Sequence, residues 1–88
     1  MIDSHLNGPA MLMNMGRYDE AERRLRQVLL AEPQNADAHI LLALCLLEGQ
    51  KFDEATSEAE TAVGLRPDES RAHYALARVW YSRRYPDR

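Results

Sequence analysis

Laid against itself at an offset of 34 residues, this chain repeats. Tyr18-Asp19-Glu20-Ala21 returns as Phe52-Asp53-Glu54-Ala55, and Pro33 returns as Pro67. Val28-Leu29 becomes Ala62-Val63, Ala38-His39 becomes Ala72-His73, and Leu42-Ala43 becomes Leu76-Ala77. Two series run through three copies: His5, His39 and His73, and Leu12, Leu46 and Trp80. A period of this length means one supersecondary unit stacked on copies of itself, each burying a face that it cannot bury alone. That excludes most single-layer and mixed-sheet architectures before any propensity is weighed.

The periodicity inside each copy is helical. Ala21, Leu25, Val28 and Leu29 form one apolar stripe, and Ala55, Ala59, Ala62 and Val63 form its repeat. Each stripe stops before a proline, which disfavours helical geometry in the residue ahead of it. Asn35 and Asp68 are the expected N-caps of the helices that follow, and Gly16 and Gly49 mark the tight turn inside each unit. Asp19-Glu20 and Asp53-Glu54 place negative charge at the positive end of a helix, and that capping role is preferred to a pair of catalytic carboxylates. No segment alternates with the period of a strand. The pattern predicts an all-α chain of five helices near residues 4–15, 18–31, 36–48, 52–65 and 69–84.

These residues resemble the tetratricopeptide repeat family. Its pattern of a large residue, Leu-Gly or Leu-Ala and a second large residue in helix A is matched by His39, Leu42, Ala43 and Leu46. Its aromatic, alanines and closing proline in helix B are matched by Phe52, Ala55, Ala59, Ala62 and Pro67, and in the unit before by Tyr18, Ala21, Leu25, Val28 and Pro33. The likeness spans about residues 10–82 and implies tandem antiparallel helical hairpins, a solenoid of roughly two and a half repeats. One domain is expected over residues 1–88: a frayed or tag-derived start at 1–8, a first unit at 9–35, a second at 36–69, and helix A of a third at 70–88. Gly8-Pro9 departs from the family pattern and predicts a first helix that starts at Pro9 or kinks there.

Chemistry-bearing constellations are sparse. Three histidines at one repeat phase should lie about a repeat apart, each in the same packing niche, instead of converging on a metal. His39 and His73 are expected between helices A and B of their own units. Cys45 is the only cysteine and sits in the apolar run Ile40–Leu47, so it reads as a small buried hydrophobe. No nucleophile–base arrangement, phosphate loop or paired CxxC is present, so no catalysis and no cofactor are expected. The net charge of −3 divides into a neutral first third, an acidic middle and a basic end. Basic and aromatic residues do not interleave along a groove-sized surface, which argues against nucleic acid. No apolar run suits a membrane span and no signal peptide opens the chain, so a cytoplasmic setting is expected.

The family resemblance implies where partners would sit. Its A helices line a concave groove, which here corresponds to Ile40, Leu44, Leu47 and Glu48, then Arg71, Tyr74, Arg78, Tyr81 and Ser82. The carboxylate clamp of chaperone-adaptor members is missing, because Leu6, Ala10, Ile40, Leu41 and Leu44 occupy its places. What remains is an apolar strip with a Tyr/Arg rim, and both residue types are favoured binding anchors. The expected function is a protein-interaction module that holds a peptide or helix on Ile40, Leu44, Leu47, Tyr74, Arg78 and Tyr81. The alternative is a structural self-association module, a homodimer or a piece of a longer array, since helix A of the third unit exposes Trp80.

Overall fold

The computed structural model describes residues 7–85, so His5, Leu6 and most of the segment read as a frayed or tag-derived start lie outside the described residues. Five helices follow one another: α1 (Asn7–Asn14), α2 (Tyr18–Ala31), α3 (Ala36–Glu48), α4 (Phe52–Leu65) and α5 (Ser70–Arg84). No strand occurs among the described residues.

The helix ends show local chemistry repeating with the sequence. Glu32 and Arg66 end α2 and α4 with φ of −134° and −136° and ψ of 74° and 78°, outside the helical region that a following proline disfavours. Asn35 caps α3, its side-chain oxygen accepting from the Ala38 N–H at 3.1 Å, an arrangement worth about 1 kcal/mol. The cap of α5 is Glu69, not Asp68: its carboxylate accepts from the Arg71 N–H at 3.3 Å, while Asp68 stays in the preceding turn. Glu69 is one repeat on from Asn35, so the 34-residue period points to the position that the choice of Asp68 missed by one. Pro9 does not begin α1. The helix already includes Asn7 and Gly8, and the buried Pro9 follows them.

Packing centres on α3. Leu12, Leu25, Leu42, Leu46 and Val79 belong to one buried cluster that ties α1 and α2 to α3 and reaches α5. Ile40, Ala43, Ala59, Ala62, Ala72 and Ala75 form a second cluster, where α4 and α5 close on the other side of α3. Each fully buried leucine contributes roughly 1.5–3 kcal/mol through removal of apolar surface from water. Ala55, Ala59, Ala62, Ala72 and Ala75 are all fully buried, and these small side chains let the helix backbones approach closely. An almost wholly apolar α3 is thus accounted for by burial: eight of its residues are inside.

Ion pairs stitch neighbouring layers at about one repeat's separation. Lys51 meets Glu22 at 3.1 Å and Arg26 meets Glu54 at 2.9 Å; further along, Arg71 meets Asp37 at 2.6 Å and Arg83 meets Asp53 at 3.3 Å. Burial pushes the Glu22 carboxyl up, but hydrogen bonds from Lys51 and Arg26 outweigh that and hold it below the ordinary carboxylate range. Solvent-exposed pairs of this kind contribute only about 0.2–1 kcal/mol each, so they fix register more than they stabilise.

Candidate interaction surface

Helices α3 and α5 pack on each other and carry all six residues expected to bind. The structure separates those six. Ile40 is 4% exposed and Leu47 5%, so Ile40 offers a partner no open surface and Leu47 only the small edge that lines a surface depression beside Arg78 and Tyr81. Ile40 packs among Ala43, Ala59, Ala62, Ala72 and Ala75 because α5 closes over it, and Leu47 joins the cluster shared with α1 and α2. Both are corrected here from groove positions to core positions. Leu44 is half-buried at the margin of the second cluster.

The three α5 residues remain at the surface. Tyr74 and Tyr81 are 59% and 57% exposed. Arg78 lies between them in sequence, one helical turn from each, with its guanidinium 5.9 Å from the centre of the Tyr74 ring. It also pairs with Glu48 at 3.3 Å, and this carboxylate from α3 aims the guanidinium along the rim. Tyr85 extends the stripe. Its ring centre is 4.9 Å from that of Tyr81 at an interplanar angle of 47°, and Arg84 lies 5.8 Å from its centre on another side. Sequence reasoning missed Tyr85, which follows the last residue of α5 as its C-cap and so falls outside the helical spacing that pointed to Tyr74 and Tyr81. At the lower end of this face a depression of about 230 Å³ gathers Leu47, Glu48, Arg78, Tyr81, Ser82 and Tyr85.

Chemically the stripe presents aromatic faces, phenolic hydroxyls and a directed guanidinium. Rings of this kind cover apolar ligand surface at little entropic cost, and their hydroxyls find polar partners in the bound state. Arg78 is already engaged by Glu48, and Arg71 by Asp37, so neither stands as a bare cation awaiting a carboxylate.

The two described histidines differ. His39 lies between α3 and α4, as expected, with Nδ1 2.7 Å from Glu58 Oε1 and Nε2 2.8 Å from the Pro33 carbonyl. His73 keeps the proline contact, Nε2 to the Pro67 carbonyl at 2.6 Å, but it is exposed, contrary to the expectation that it packs between two helices. Among the described residues no helix stands beside α5 where α4 stands beside α3. Cys45 is 2% exposed, and its thiol donates to the Tyr18 carbonyl at 3.0 Å. Burial, assisted by the Glu22 and Asp19 carboxylates, pushes that thiol up to about 11, far from a reactive thiolate. Among the described residues no group of three or more His, Cys, Asp or Glu is arranged to hold a metal, and no helix is long and apolar enough to cross a membrane.

Comparison with known families matches a tetratricopeptide repeat model to residues 12–79. A comparison with curated proteins gives no match.

Proposed function

The chain belongs to the tetratricopeptide repeat family, whose repeats are in general protein–protein interaction modules and typically not enzymes, and from that premise we propose how this one binds. The binding element is the tyrosine–arginine stripe of Tyr74, Arg78 and Tyr81 on α5 and Tyr85 at its C-cap, with half-buried Leu44 of α3 at the margin of the cluster that seats α5. It takes a peptide or helix from a partner protein. The observation that carries this reading is the exposure of Tyr74 and Tyr81 on a helix that is anchored by one face, the fully buried Ala72, Ala75 and Val79. Large aromatics left at a surface, ordered by ring and cation contacts, make pre-organised anchors. The residues first expected to floor the groove, Ile40 and Leu47, act from below by fixing α5 on α3.

Selection of random 12-residue peptides displayed on phage against the 88-residue chain tests this. Selected peptides are expected to lose at least about tenfold in affinity to Tyr81→Ala or Tyr74→Ala, a typical penalty for an aromatic anchor. Leu30→Ala, on the α2 surface, is expected to change nothing. Peptides that bind the Tyr74→Ala/Tyr81→Ala double variant as well as the parent chain would rule the stripe out.

A further inference from the structure

Burial divides α5 into three faces. Ala72, Ala75 and Val79 are fully buried against the rest of the stack, and Tyr74, Arg78 and Tyr81 form the stripe described above. The third face carries His73, Ala77, Trp80 and Arg84, spaced by four, three and four residues, the spacing of a seam between two helices. All four are exposed, Trp80 by 60%, and half-buried Leu76 lies at the margin.

The preceding repeat shows what such a face receives. One period back, Ala77 corresponds to Ala43, Leu76 to Leu42 and Trp80 to Leu46, and all three of those residues are completely buried by neighbouring helices. The α5 face is therefore helix-receiving by its own repeat logic, and the chemistry of the face favours one particular helix. Ala77 is small and Trp80 is large, and they sit one turn apart. Two copies of α5 laid antiparallel seat each Trp80 on Ala77 of the other copy, with both contacts made by one two-fold axis. The ends agree with this direction. Antiparallel pairing also opposes the two helix dipoles and sets Arg84, opposite His73 in this register, about one turn from Glu69 at the N-terminal end of the other copy.

We infer that this face is a homodimer seam, in which the Ala77–Trp80 surface of one chain packs against the same surface of a second copy. A single helix pair of this length covers on the order of 800 Å² in total, less than the roughly 1,200 Å² of stable specific interfaces, so the pairing is weak and reversible. The seam lies on a different face from Tyr74 and Arg78, so it goes beyond the peptide-binding reading, and each can fail alone.

The test uses the chain's one tryptophan, which lies in the seam itself. Sedimentation velocity and tryptophan emission are followed from about 5 to about 500 micromolar, a range that spans such an equilibrium. The mass is expected to rise from 10.1 kDa towards twice that value, with Trp80 emission shifting to the blue over the same range. Ala77→Glu, a change at an exposed helical position that preserves the fold, should weaken pairing at least about tenfold by placing an unpaired charge in the seam. Tyr74→Ala should dimerise like the parent. A mass of 10.1 kDa with unshifted emission at the highest concentration overturns the inference. A dimer indifferent to Ala77→Glu overturns it too, since the contact then lies elsewhere, and so does growth beyond two copies, which a closed two-fold seam forbids.

Discussion

Two turns in this chain share one geometry and differ in the residue that must bear it. After α1, Gly16 adopts φ of 77°, with its N–H bonded to the Met13 carbonyl and that of Arg17 to the Leu12 carbonyl. After α3, Gln50 adopts φ of 62°, with the matching bonds from Gln50 to Leu47 and from Lys51 to Leu46. Gly49, the residue expected to make this turn, has φ of −83° and ends the helix instead, because it stands one position early in the repeat. A side chain in the left-handed region costs roughly 1–2 kcal/mol, and glycine gives back part of that through its freer unfolded chain. Gln50→Gly is therefore expected to stabilise the fold by about 0.5–1 kcal/mol, and Gly16→Ala to destabilise it by about 1 kcal/mol. Urea denaturation of both variants checks the pair, and a loss of stability in Gln50→Gly would contradict the strain argument. The histidines show the same dependence on position within the stack. His39 reaches both Pro33 and Glu58, whereas His73 reaches only its proline among the contacts seen, since among the described residues no helix stands to α5 as α4, the bearer of Glu58, stands to α3.

Among the helices, α4 has the narrowest tolerance. Ala55, Ala59 and Ala62 are fully buried, and Ala59 and Ala62 share a cluster with Ile40, Ala43, Ala72 and Ala75. A leucine at position 59 has to push α4 away from α3 or α5, so Ala59→Leu should cost about 1–3 kcal/mol and lower the melting temperature. An unchanged or raised value, measured by thermal circular dichroism, would mean that the helices pack less closely than these burials imply. The alanines also explain why the fold was legible from the chain alone. The period fixed the phase of every helix, and the apolar stripe within each copy fixed which side faced in, so α2, α3 and α4 fall at the residues expected. The candidate surface was less legible for a geometric reason. Groove positions follow from helix phase only if neighbouring A helices stand apart, and here α5, seated on small alanines, covers Ile40. Exposure of Tyr74 and Tyr81 did follow from phase, because they lie on the side of α5 turned away from that contact.

The stack as a whole is held from its middle, and its stability should be graded accordingly. Helix α3 packs on α2, α4 and α5, and eight of its residues are buried. Helix α1 has eight described residues, rests chiefly on α2, and buries only Pro9 and Leu12. A helix of that length is marginal by itself, so α1 exists on the strength of its packing, and that packing is thin. In a repeat protein each layer contacts only its neighbours, which lets an end layer open while the centre stays closed. Amide hydrogen exchange should therefore divide the chain. Amides of Leu42, Ala43 and Leu46 should exchange only through unfolding of the whole domain, with rates that rise steeply with added urea. Those of Leu12 and Met13 should exchange faster by one to two orders of magnitude, about 1.4–2.7 kcal/mol in opening free energy, with a shallow urea dependence, because freeing α1 exposes little new surface. Equal protection and equal urea slopes in α1 and α3 would show a single cooperative unit and would refute the graded stack.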